Sequence, residues 1–227
     1  MNHCKEYTYK YLCHPFEQEI PVYGGTASVN VKTVRAIAKG DSCNIYHFEL
    51  DNHWGTHIDC PNHFFTYGKK ITDYSPDFWF FKEITVIPVS LAPGQILLLD
   101  TWKELIKPQT DLILFYSGWA AFRRNHIDYA MSNPGIHTDV GLYLRKYLPQ
   151  LKAVGIDWLS VSSYKNRELG RKAHRAFLDP EGENSPILII EDMLFEPGLE
   201  HIKEVMAAPM LIKGVDSAPC TVIGTFF

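Results

Sequence analysis

Four side chains able to bind a divalent metal or move a proton fall inside one short stretch: His53, His57, Asp59 and His63, spaced four, two and four residues apart. Neutral imidazole and carboxylate suit Zn²⁺, Mn²⁺ or Fe²⁺, and no thiolate is required. A helix would place His53 and His57 on one face. Gly55, the β-branched Thr56 and Ile58, and Pro61 argue against a helix here. In an extended chain His57 and Asp59 leave the same side, with Cα atoms roughly 6–7 Å apart. A straight strand from His53 to His63 would span about 33 Å, too long for one site. The segment must therefore bend, and Gly55 and Pro61-Asn62 are the residues that allow it. Cys60 has the opposite parity to His57 and Asp59 and reads as a small core residue.

This segment alone does not complete a hydrolytic site with two metals, so further His, Asp or Glu must arrive from elsewhere. His174, in Gly170-Arg171-Lys172-Ala173-His174-Arg175, and Glu191, at the end of the apolar run Ile187-Leu188-Ile189-Ile190, are the best candidates. A carboxylate ending a buried strand is costly unless a cation meets it. Taken singly, His174 could be the last turn of a surface helix, and Glu191 reads more readily as a strand end in solvent than as a ligand. The aromatic residues Trp54, Phe64 and Phe65 flank the motif and can line an apolar pocket or belong to the core.

The elements that must position these residues read as a mixture of strands and helices. Runs rich in β-formers occur at 44–50, 84–90, 96–100, 111–117, 153–157, 187–191, 209–213 and 221–226. Several are apolar throughout, as strands buried on both faces would be. The clearest helix is Thr138–Leu148, where Val140, Leu144, Tyr147 and Leu148 keep helical spacing and Thr138 can cap the start. Shorter helical candidates are 101–106, 119–124 and 199–206. The fold class expected is α/β, as one domain over residues 1–227.

Net charge is −4, which leaves no basic excess to neutralise phosphates, so nucleic acid is not an expected partner. No apolar stretch approaches the roughly 20 residues of a membrane span, so none is expected to meet a membrane. The start, Met1-Asn2-His3-Cys4-Lys5-Glu6-Tyr7, carries no apolar signal region. The five cysteines are scattered and odd in number, which favours a reducing cytoplasm over a disulfide framework.

The segment His53–His63 resembles the His-x-Gly-Thr-His-x-Asp-x-Pro-x-His signature of the metal-dependent cyclase family, which includes bacterial kynurenine formamidases and isatin hydrolases. Other segments are similar to the family's in the same order. They are Leu12-Cys13-His14-Pro15-Phe16 with Pro21-Val22-Tyr23, Asn133-Pro134-Gly135-Ile136, Val154-Gly155-Ile156-Asp157, Ser160-Val161-Ser162, His174-Arg175 and Ile190-Glu191-Asp192. The last runs from Pro209 to Pro219. The resemblance implies a swivelling β/α/β domain, assembled as a homodimer or homotetramer. It implies His53, His57, Asp59, His174 and Glu191 as ligands of two divalent metals, with zinc first and manganese or iron as alternatives. It implies His63 as general acid/base. Two departures stand out: Ser162 replaces the usual acid, and the stretch 179–186 is longer than in the formamidases. Glu181 or Glu183 in that stretch could substitute for Glu191 as a ligand.

The chemistry implied is hydrolysis of an aryl amide, most simply N-formylkynurenine to kynurenine and formate. Metal-generated hydroxide would attack the carbonyl, and His63 would carry the proton to the leaving amine. Hydrolysis of a cyclic amide or lactone, as by isatin hydrolase, is the alternative. A non-catalytic binding protein with a structural metal is the third reading. Structural zinc is normally closed by four ligands and often uses thiolates, which argues against it.

Overall fold

The computed structural model describes residues 7–227; Met1–Glu6, on which the absence of a signal region was read, lie outside the described residues. The N-terminal third contributes β1 (Thr8–Tyr11), the ribbon of β2 (Glu19–Val22) with β3 (Gly25–Ser28), and the ribbon of β4 (Asn30–Arg35) with β5 (Ile45–Glu49). Next come β6 (His57–Asp59), β7 (Phe80–Phe81), β8 (Ile84–Pro88) and β9 (Ile96–Leu97). They are followed by β10 (Leu112–Tyr116), α1 (His126–Ser132), β11 (Gly135–Ile136), α2 (Thr138–Tyr147) and β12 (Ala153–Ile156). The chain closes with α3 (Arg167–Leu178), β13 (Leu188–Glu191), β14 (Ile202–Pro209) and β15 (Ser217–Phe226).

The main sheet runs β7-β14-β15-β6-β13-β12-β10-β8, with β1 added to β15. Its β8-β10-β12-β13 portion is parallel, and β6 joins β13 antiparallel. Alternation along these strands splits the interior in two. Ile113, Phe115, Val154 and Ile189 pack with Val140 and Leu144 of α2 and Ala173 and Phe177 of α3. Leu112, Leu114, Leu188 and Ile190 pack with Ile58 and with Val205, Ala207 and Val222 of the sheet's other half. The second cluster requires the sheet to curl toward itself, and the central strands are apolar on both faces for this reason. The fold is mixed α/β, as expected.

Several local expectations need correction. The segment 199–206 is a single 3₁₀ turn at Leu199–His201 followed by β14, not a helix. Val205, Ala207 and Pro209 alternate inward with period two, and that pattern beats the helical propensity of Glu204 and Met206. Conversely, 209–213 leaves the sheet after Pro209, with Met210, Leu211 and Ile212 exposed. The candidates at 101–106 and 119–124 are 3₁₀ turns at Thr101–Leu105 and Trp119–Phe122. Helix α1 was not expected, and α3 realises the helix weighed as an alternative around His174, although His174 is buried within it and not in a last turn at the surface. No described helix is long and apolar enough to cross a membrane.

Candidate metal centre

Strand pairing decides which side chains meet. His57 stands opposite Glu191 and Asp59 opposite Ile189, while Ile58 and Ile190 point together into the second core. His57, Asp59 and Glu191 therefore share the face covered by α3. Helix α3 lays Ala173 and Phe177 on the core of that face and brings His174, buried, to the same place. The segment between His53 and His63 bends where expected. Gly55 takes φ +63°, a left-handed conformation that favours glycine, and Pro61–His63 form a 3₁₀ turn.

The result is a tight cluster. His53 Nδ1 lies 3.1 Å from Asp59 Oδ1, and His57 Nε2 lies 3.6 Å from the same oxygen. His57 Nε2 is also 3.5 Å from Glu191 Oε2, and His174 Nε2 is 3.3 Å from Glu191 Oε1 and 3.8 Å from Asp59 Oδ2. Two backbone carbonyls orient the rings: His57 Nδ1 donates to Gly55 O at 2.8 Å, and His174 Nδ1 donates to Gly170 O at 2.9 Å. A carbonyl can only accept, so Nδ1 carries the proton and each Nε2 presents a lone pair. Glu191 Oε1 is held by the Ser160 hydroxyl (3.0 Å) and the Val161 amide (2.7 Å).

These residues fit a divalent cation. Lone pairs on two imidazoles face carboxylate oxygens, and acceptor against acceptor requires a positive charge between them. Asp59 Oδ1 is buried and accepts no well-aligned hydrogen bond, despite its close contact with His53. Separations of 3.1–3.8 Å bracket the roughly 3.4 Å edge of a tetrahedron whose metal–ligand bonds are about 2.0–2.2 Å. Ligand atoms of His53, His57 and Asp59 lie within 4.8 Å of one another, as do those of Asp59, His63 and His174. Without a cation a proton serves. Burial opposes charge on His53, but the close carboxylates of Asp216 and Asp59 outweigh it and raise its pKa to about 10. Burial also opposes charge on His174, yet Glu191 and Asp59 hold its pKa up. Burial likewise works against the Asp59 carboxylate, but His57, His53 and His63 keep it well below the usual carboxylate range.

His63 sits beside this cluster with a partner that sequence reasoning missed. Its Nδ1 donates to Asp216 Oδ2 at 2.8 Å, which leaves Nε2 for the cavity. Asp216 is fixed in turn by Asn52, whose side-chain amide donates to Oδ1 at 3.1 Å. One signal was available, since Asp216 is the sole acid in the closing motif and immediately precedes β15. Ser160 and Val161 were noted as a motif but not as the support of Glu191.

The cavity over the cluster has a volume of about 350 Å³. Beyond the cluster it is lined by Tyr23, Phe64, Leu159, Ser162, Arg167 and Arg171. Phe64 stacks on the His174 ring, with centroids 5.0 Å apart. Trp54 and Phe65 do not line this cavity. Phe65 instead packs on the helix-side core beneath the Arg175 guanidinium, 4.7 Å from its ring. Trp54 is part of the turn at Asp51–Trp54, where its amide donates to the Asp51 carbonyl. Glu181 and Glu183 are exposed and do not line the cavity.

Comparison with known proteins places this geometry in context. A kynurenine formamidase of Geobacillus thermodenitrificans is 24% identical over 216 residues, covering 89% of this chain and 90% of its own. The structure of isatin hydrolase A from Labrenzia aggregata superposes with a TM-score of 0.79 at 15% identity, over 97% of this chain and 94% of that one. A predicted metal-dependent hydrolase from Bacillus stearothermophilus superposes with a TM-score of 0.72 at 20% identity, over 97% and 98% of the two chains. The Cyclase family model, described as putative cyclase, matches residues 11–163, with all of His53–His63 inside the match and His174 and Glu191 beyond it, and the chain belongs to the Cyclase family.

Proposed function

We propose that this chain is a metal-dependent hydrolase of aryl amides, most simply an arylformamidase converting N-formylkynurenine to kynurenine and formate. The observation that carries the reading is the pairing of two features in one cavity. One is a cluster of imidazoles and carboxylates that fits a divalent cation, and the other is a histidine outside its closest contacts, oriented by its own carboxylate. The similarity to a formamidase over nine-tenths of both chains supports the choice of substrate.

His53, His57, Asp59, His174 and Glu191 would hold the cation. We assign two divalent ions to these residues, zinc before manganese or iron, as the family resemblance implies. When bound, such an ion supplies Lewis acidity for the carbonyl and for water. The rest is done by the chain. Asp216 fixes the His63 tautomer so that Nε2 can take a proton from water and give it to the leaving nitrogen. Phe64 offers an aromatic surface against which an aryl group can rest. A structural metal would not call for an open cavity of this size beside an oriented histidine. We place the protein in the cytoplasm as a homodimer or homotetramer. The ribbon of β4 and β5 supports self-association, being exposed along its length and carrying Val31, Val34, Tyr46 and Phe48.

The test is a hydrolysis panel of N-formylkynurenine, formanilides, isatin and simple lactones, with and without chelator. Chelator-sensitive hydrolysis of the formyl amides is expected. Activity confined to isatin or lactones would replace this reading with cyclic-amide or lactone hydrolysis, and activity indifferent to chelator would reject the metal.

A further inference from the structure

The same cavity carries two cations that the reaction does not use. Arg167, Arg171 and His174 lie at i, i+4 and i+7 on α3 and share one face of the helix. All three line the cavity. At 1.5 Å per residue, Arg171 and Arg167 stand about 5 and about 10 Å from His174 along the axis. Neither guanidinium forms an ion pair with a carboxylate among the described residues, whereas Lys172 on the same helix is paired with Glu168. Arg167 is held by aromatic faces instead, with its guanidinium carbon 4.0 Å from the Tyr164 ring and 5.7 Å from the Tyr23 ring. Tyr23 is fixed by hydrogen bonds to the Ser162 hydroxyl (2.9 Å) and the Ser163 carbonyl (3.2 Å). Gly24 follows it at φ +87°, where a Cβ would strike the Tyr164 ring. A guanidinium resting on an aromatic face keeps its forked donors free, the arrangement that suits a carboxylate.

We propose that Arg167 and Arg171, one and two helical turns from His174, form an anion subsite that selects aryl amides bearing a carboxylate remote from the scissile bond. The assignment rests on the amide-hydrolase reading of the neighbouring cluster and adds the substrate's charge to it. It separates an acidic side chain, which the arginines would recognise, from neutral formanilides and from isatin, which offer them nothing.

The test uses the metal-loaded protein and two matched substrates. One is an ortho-formamidophenyl ketone ending in a carboxylate, and the other is the same molecule ending in a carboxamide. Wild type should prefer the carboxylate through a lower KM. Arg171→Gln and Arg167→Gln should each reduce that preference about tenfold to a hundredfold, the worth of a hydrogen bond to a charged group. Lys172→Gln, which removes the same charge from the same helix away from the cavity, should leave the preference intact. Equal losses on both substrates, or no preference in wild type, would overturn the subsite. Calorimetric binding of the two corresponding amines provides a readout without turnover. If neither amide is hydrolysed the amide-hydrolase reading fails. Tighter binding of the carboxylate amine, lost in Arg171→Gln, would then still support the subsite, and equal binding of the two amines would reject it.

Discussion

His57 and Glu191 stand directly opposite each other across the antiparallel β6–β13 pair, with Nε2 and Oε2 3.5 Å apart. Glu191 is held there from behind by Ser160 and Val161, so its position does not depend on the histidine. Glu191→Gln keeps the size and one acceptor oxygen, but turns an amide donor toward the His57 lone pair. The imidazole is then satisfied without a cation. Metal affinity should fall by more than the roughly tenfold to hundredfold typical of losing an outer hydrogen-bond partner. Metal content after dialysis is the measurement. The melting temperature of the metal-free protein should not fall, and a variant that retains full metal would remove Glu191 from the ligand set.

Much of this centre was legible because a strand alternates with period two. The i, i+2 spacing of His57 and Asp59 was enough to put both on one face, and Gly55 and Pro61 announced the bends. Asp216 was not legible as the partner of His63, because 153 residues separate them and only the antiparallel pairing of β6 with β15 joins them. Helix α3 was read only as an alternative around His174, for a different reason. Its first half carries Arg167, Glu168, Gly170, Arg171 and Lys172, so the apolar Ala173, Ala176, Phe177 and Leu178 are confined to its second half, and Gly170 reads as a helix breaker. Among the aromatic neighbours, Phe64 and Phe65 are adjacent in sequence yet part company, one at the cavity and one on the core.

The His63–Asp216 contact makes a separable prediction. Asp216→Asn cannot demand the Nδ1–H tautomer of His63 as a carboxylate does, so Nε2 loses its bias toward accepting a proton. Turnover should fall by about 10²–10⁴, the range for loss of general acid–base catalysis, with metal content kept. His63→Ala should do the same, and the double variant should be little worse than either single one, since both residues act through one proton. Loss of metal in His63→Ala would instead make His63 a ligand, which its proximity to Asp59 and His174 permits.

Metal binding should release protons. In the metal-free pocket the pKa of His53 is raised to about 10 by Asp216 and Asp59, far above the ordinary imidazole value, so the ring is protonated at neutral pH. A cation can bind there only after that proton leaves. Affinity should therefore rise with pH, about tenfold per unit for each proton displaced, until pH approaches the His53 value. Titration calorimetry near pH 7.5 in buffers of different ionisation enthalpy should give at least one proton released per chain. Binding heats independent of the buffer would contradict the role of His53.

Gly170 links the helix to the chemistry. A Cβ placed on it would lie 1.8 Å from Ser162 Oγ and 2.6 Å from Ser162 Cα, and the second of these is backbone that cannot swing aside. In an unpacked helix Gly→Ala stabilises by about 0.8–1 kcal/mol, but here overpacking of about 1–3 kcal/mol should reverse the sign. The strain falls on the functional residues, because Gly170 O holds the His174 ring and the Ser160–Ser162 segment holds Glu191. Gly170→Ala should lower both the melting temperature and turnover, through a wider gap between His174 and Glu191. Adding Ser162→Gly, which removes the nearest obstructing atoms, should recover part of both losses. A Gly170→Ala protein that is more stable than wild type would show that α3 does not press on this segment, and the placement of His174 would then need another explanation.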